Sequence, residues 1–189
     1  MGEYTDWFKQ DYGTITTSRT LTDPDDRIVI REWLSRLRDT GDPVEGMNEL
    51  TAARLAGALK TTHGRDMIVA SLLDSTLDAD ALARVMNDDE PIPEGYGFYD
   101  GLRGSDMMRL TSARNTDRHR LENADRVCSA LAGIDPSCRA EALGVMLLIA
   151  WLAGATDRAR AILGKAPASV FTAVIGGALM MESREAAAV

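Results

Sequence analysis

The chain has 189 residues, of which 45% are hydrophobic and 26% charged, and its formal net charge is −8 at neutral pH. That length and apolar share suit one ordinary globular domain with a core of its own. The acidic balance disfavours broad attraction to nucleic acid or anionic lipid, because the long-range field repels both, and leaves only local basic patches for such contacts.

The first segment to show a pattern is 3–12, where Tyr4, Trp7, Phe8 and Tyr12 recur at helical spacing. Residues 13–22 are threonine-rich and without period, as in a linker. The stretch 1–22 is therefore predicted to be an aromatic arm and linker ahead of a helical domain over 23–189. Such an arm either docks on its own domain or exchanges with a second copy, which would make a homodimer.

Asp23-Pro24-Asp25-Asp26 has the chemistry of a helix start, and Ile30, Trp33, Leu34 and Leu37 form the apolar face of the helix it opens, with Gly41 as its stop. The acid cluster fits capping and dipole stabilisation, and it lacks the calcium-loop pattern. Ala52, Leu55, Ala56 and Leu59 mark a second helix, expected to end at His63-Gly64 in the manner of a glycine C-cap. Two short helices are expected over 66–74 and 80–86, with Met67, Leu73, Leu82, Val85 and Met86 facing inward. Between 87 and 105 the period fails. Prolines and glycines there alternate with Tyr96, Phe98 and Tyr99, which either anchor the loop or contact a partner. The glycines do not follow a nucleotide-binding spacing.

Residues 109–126 hold Arg109, Arg114, Arg118, His119, Arg120 and Arg126 on what reads as a pair of helices. Asp117, Glu122 and Asp125 are interspersed. The segment is thus either a salt-bridged, solvated face or a phosphate-binding patch centred on Arg114, Arg118 and Arg120. On the same stretch Cys128 shares a face with Leu121, Ala124 and Leu131 and reads as a small buried hydrophobe.

The strongest signal is 139–168. Asp135 and Pro136 supply a cap and a first helical residue, and the apolar run Ala142 to Ala153 then covers every face of a helix. Such a helix sits at the centre of a core, and it is too short to cross a bilayer. Gly154 can take the left-handed conformation that ends it, and Thr156 or Asp157 can cap a second helix with Ala159, Ile162 and Leu163 on one face. Past Pro167, the residues Phe171, Val174, Ile175, Ala178 and Leu179 define a third helix, in which Gly176 and Gly177 would admit a neighbouring backbone. Cys138, near the start of the central helix, is placed where a helix dipole can lower a thiol pKa. The spacing of Cys128 and Cys138 is neither that of a zinc site nor that of a redox pair.

Gly64-Arg65-Asp66-Met67-Ile68-Val69 and the block Arg139 to Leu179 resemble the C-terminal helical part of the actinobacterial family called domain of unknown function 4192. The likeness covers about residues 25–182. It implies a shortened relative without the α/β portion that usually precedes this part. Lysine, present only at Lys9, Lys60 and Lys165, is scarce beside arginine, as expected of a high-GC bacterium or its phages. The block from Trp151-Leu152-Ala153-Gly154 through Asp157 and Ala161 to Pro167 is also similar to one tetratricopeptide hairpin. No fixed period follows it, so the similarity implies a helix pair and not a solenoid. Neither resemblance implies catalytic residues.

The sequence therefore predicts an all-α, single-domain array of helices with a tetratricopeptide-like hairpin near its C-terminus. With no export signal, it is expected to be cytoplasmic. The expected function is non-enzymatic: binding a partner protein through a helical groove or through Tyr96, Phe98 and Tyr99 of the 87–105 loop. Nucleic-acid binding by Arg114, Arg118 and Arg120 is the alternative. A further alternative is an enzyme using carboxylates such as Asp78 with Asp80, or Asp88, Asp89 and Glu90. No cofactor, metal-ligand set or membrane partner is expected.

Overall fold

A computed structural model describes residues 24–85 and 117–187. In chain order these form α1 (Pro24–Arg38), α2 (Glu49–Lys60), α3 (Thr62–Leu73), α4 (Ala79–Val85), α5 (Arg118–Ile134), a 3-10 turn at Pro136–Cys138, α6 (Arg139–Leu152), α7 (Thr156–Leu163) and α8 (Val170–Ala187). No strand occurs among the described residues, so the chain is all-α as its periodicity requires. No described helix is long and apolar enough to cross a membrane. The aromatic stripe at 4–12, the 87–105 loop with Tyr96, Phe98 and Tyr99, and Arg109 and Arg114 lie outside the described residues.

Helix α6 is central because it has no polar face to give to water. Val145, Leu147, Leu148, Ile149, Trp151 and Leu152 are all buried, and α6 packs on α5, α7 and α8 and touches α2 and α3. Each such side chain contributes about 1.5–3 kcal/mol by leaving water. On α1 the predicted face Ile30, Trp33, Leu34 and Leu37 is buried, as are Ala52, Leu55, Ala56 and Leu59 on α2 and Leu121, Ala124, Cys128 and Leu131 on α5. All of these join one contiguous hydrophobic cluster.

Helix ends are where the sequence misleads. Residues His63 and Gly64 do not terminate α2; they lie in the first turn of α3. The single residue between the two helices is Thr61, whose hydroxyl donates to the Ala58 carbonyl and accepts from the Gly64 N–H. One side chain thus serves the end of α2 and the start of α3. Glycine is required at position 64 for packing and not for a turn, since a Cβ there would lie 2.2 Å from the Ala58 carbonyl oxygen.

Asp135 does cap, accepting the Ser137 N–H, but the turn it opens is a 3-10 turn that hands over to α6 at Arg139. Gly154 has φ of 71° and ends α6 as expected. Neither Thr156 nor Asp157 caps α7, because the N-cap position falls on Ala155, which offers no side-chain acceptor. Ser169 and Thr172 instead form a reciprocal capping box at α8: each hydroxyl accepts the other residue's N–H. Gly176 meets only the Leu163 side chain, at 3.5 Å, and Gly177 has nothing within 4 Å, so neither admits a backbone.

The Asp135 carboxylate also accepts from Lys60 Nζ at 2.8 Å, tying α2 to the turn before α6. Burial acts to raise this carboxyl, but bonds from Lys60 and from the Ser137 hydroxyl and N–H outweigh it and hold it below the ordinary aspartate value. A carboxyl depressed in the folded state stabilises the protein above its unfolded pKa, and that stability is lost as pH falls through the folded value.

Two outcomes follow. In urea unfolding, Gly64→Ala is expected to cost about 2–3 kcal/mol, whereas Gly177→Ala gains about 0.5–1 kcal/mol because the same methyl meets open space. Asp135→Asn is expected to lower stability at pH 7 by about 1 kcal/mol; in melts taken at decreasing pH, its deficit against the parent should shrink once the ordinary aspartate range is passed.

Candidate functional site

The first two turns of α5 do structural work that their basic composition conceals. The last carbonyls of a helix have no partner within it, and something outside must satisfy them. At the end of α1, Asn123 Nδ2 donates to the Leu37 carbonyl at 3.3 Å and the Asp39 carbonyl at 2.8 Å, and His119 Nε2 lies 2.6 Å from the same Asp39 oxygen. At the end of α3, Arg120 donates to the carbonyl of Ser71, in its last turn, at 2.7 Å and to that of Ser75, just past it, at 3.2 Å. Ser71 is fixed from its other side, since its hydroxyl accepts from Trp33 Nε1 at 2.8 Å and donates to the Ile68 carbonyl. Cationic groups beside helix C-termini are favoured by the dipole as well.

This placement turns Arg120 inward, away from the surface patch it forms in the sequence reading. Its residue is only 6% exposed, and its guanidinium is committed to two carbonyls. Burial, with nearby Arg38, lowers its pKa from the ordinary arginine value, partly offset by Asp117 and Asp74. Arg118 is exposed but paired with Glu122 at 3.1 Å, and Arg126 reaches Asp42 at 2.9 Å. Arg118 and Arg120, one surface in the sequence reading, face different surroundings. Interhelical pairing continues at Arg158 and Asp125, joining α7 to α5; burial raises the Asp125 carboxyl, and Arg158 counteracts it.

The thiols are not poised for chemistry. Burial pushes Cys138 up to about 11, with Asp135 adding to the rise, so desolvation overrides any lowering by the helix end. Cys128 is raised further by the same cause. Asp78 and Asp80 do not converge either: Asp78 accepts the Ala81 N–H as a cap, and Asp80 lies 3.9 Å from Arg27 on open surface. Asp88, Asp89 and Glu90 lie outside the described residues. Among the described residues no group of histidine, cysteine and carboxylate side chains could hold a metal ion.

The polar closure at the end of α1 forms one wall of an open groove of about 560 Å³. The groove is lined by Arg31, Leu34, Ser35 and Arg38 of α1, by the Asp39–Thr40 turn, and by Asp78 and Ala79 at the start of α4. Its rim is held still, because the Asp39 carbonyl is bound by Asn123 and His119 and the Asp39 side chain accepts the Gly41 N–H at 2.8 Å. Leu34 gives it a buried apolar floor.

Arg31 and Arg38 are the informative members. Both are exposed, and neither makes an ion pair or hydrogen bond with the described residues. The arginines around them are engaged: Arg27 lies near Asp80, and Arg36 binds Glu32 and the Pro43 carbonyl. Sequence reasoning passed over Arg31 and Arg38, although a signal was present. Arg36 has Glu32 one turn back, whereas neither Arg31 nor Arg38 has an acid three or four residues away within α1.

No protein-family model, curated protein or solved structure matches the chain.

Arg120→Ala is expected to cost about 2–3 kcal/mol in urea unfolding, because the buried Ser71 carbonyl loses its donor and the Ser75 carbonyl a second bond, while Arg118→Ala stays within about 0.5 kcal/mol of the parent. Equal costs for the two variants would refute the capping role assigned to Arg120.

Proposed function

We propose that this protein is a helical interaction module that binds a partner protein through the groove between α1 and α4. The observation that carries this reading is the pair of exposed guanidinium groups, Arg31 and Arg38, which line one groove and have no ion pair or hydrogen bond among the described residues, while Arg27 and Arg36 on the same helix are engaged. An arginine side chain without an internal partner keeps its full hydrogen-bonding fork for something else. The groove supports recognition in three further ways. Its floor is apolar at Leu34, its rim carries the Ser35 and Thr40 hydroxyls, and both arginines stand on a helix, which holds side chains more firmly than a loop does.

The aromatic segment with Tyr96, Phe98 and Tyr99 belongs to the same proposal as a second contact region, and the resemblance to domain of unknown function 4192 belongs to it as the family of the helical module. Nucleic-acid binding is less well supported. Arg120 is occupied internally, Arg118 has its own carboxylate, and the chain as a whole is acidic.

A photo-crosslinking amino acid placed at Thr40, in cells of the source organism, tests the reading. A discrete protein adduct is expected from Thr40, and it should vanish when Arg31 and Arg38 are both changed to Glu. An equal adduct from the same probe at Ser129, an exposed site on α5, or none from Thr40, would overturn it.

A further inference from the structure

Resting on that reading, we infer that the group recognised by the α1–α4 groove is a pair of carboxylates on an extended acidic peptide segment. Seven residues of α1, about two turns and 10 Å of helix axis, separate Arg31 from Arg38. Two cations rooted that far apart along one wall suit a ligand with spaced negative charges better than a single compact anion. In an extended peptide, side chains two residues apart point the same way and lie about 7 Å apart, a spacing within reach of two long, flexible arginines. Each guanidinium can then take one carboxylate by two parallel hydrogen bonds.

The rest of the lining selects for peptide over nucleic acid. Asp39 and Asp78 line the same groove, and each has one carboxylate oxygen occupied by a backbone N–H, of Gly41 and Ala81 respectively. Their remaining acceptor capacity can take backbone N–H groups of a bound strand, a donor that a phosphodiester backbone lacks. Against a phosphodiester backbone these two carboxylates meet only negative charge, whereas a peptide strand can set its N–H donors against them; the net charge of −8 opposes either acidic ligand alike. Ser35 and Thr40 can donate to carboxylate oxygens from the rim. The site thus offers positive charge at two points and negative charge between elements, the reverse of a uniformly basic phosphate track.

The test is fluorescence anisotropy at low salt with the full chain and a labelled peptide of alternating glutamate and serine, its glutamine analogue, and single-stranded oligothymidylate of equal charge. The glutamate peptide is expected to bind, and the glutamine analogue to bind at least several-fold more weakly. Arg31→Ala and Arg38→Ala should each weaken the glutamate peptide by about three-fold and together by about ten-fold, the size expected of exposed charge pairs. Arg139→Ala, which removes an exposed arginine elsewhere, should leave it unchanged. Circular dichroism melts of each variant establish that it is folded before binding is read. Equal binding of the glutamine analogue, tighter binding of oligothymidylate, or an equal loss in Arg139→Ala overturns the inference. Absence of peptide binding with the Thr40 crosslink retained ends this inference alone; loss of that crosslink ends the broader reading as well.

Discussion

The constraint on which the described structure depends is the satisfaction of carbonyl groups at helix ends. An array of short helices leaves many of them, because each C-terminal end leaves up to four acceptors and a short helix has few interior bonds to set against its ends. Here α5 supplies the donors. Asn123 and His119 take the carbonyls that close α1, and Arg120 takes one in the last turn of α3 and one just past it. Trp33 binds the Ser71 hydroxyl, so an indole, a hydroxyl and a guanidinium fix α1, α3 and α5 to one another within the apolar interior. Buried polar groups of this kind are costly unless paired, and their pairing specifies one arrangement of helices that greasy contacts alone would leave open.

The same constraint decides which charges are available to a partner. Arg36 is folded inward onto the Pro43 carbonyl and Arg120 onto the Ser71 and Ser75 carbonyls, while Arg158, half exposed, is paired with Asp125. Arginine is suited to this use because its planar fork can serve two acceptors at once and its charge is not lost on partial burial. An arginine-rich stretch in sequence is therefore a poor guide to a basic surface. What sets Arg31 and Arg38 apart is that they combine two things: neither has a partner among the described residues, and both line one groove.

Much of the architecture was legible because burial follows period. The face Ile30, Trp33, Leu34 and Leu37, the run around Leu147 and Leu148, and the placing of Cys128 and Ala124 all follow from side-chain direction on a helix, which spacing encodes directly. The helix boundaries were less legible, since caps depend on which residue falls at one particular position. Gly64 looked like a stop signal and is a packing residue; Thr156 and Asp157 had capping chemistry but entered the helix one or two positions too late. The groove was hidden for a different reason. Asp78 and Arg38 come together only through the packing of α1 on α4, and no local pattern reports a contact across forty residues of chain.

The Thr61 joint between α2 and α3 has a consequence of its own. With one residue between two helices there is no slack to absorb a change in length, so the phase of α3 is dictated by where α2 stops. Inserting a single amino acid at this elbow would turn every later side chain of α3 by about 100° around its axis. Met67, Ile68 and Ala70 would then face the wrong neighbours in the interior they now fill, and Ser71 would leave the indole it holds. The corner behaves as a rigid bracket whose angle and rotational setting are inherited together.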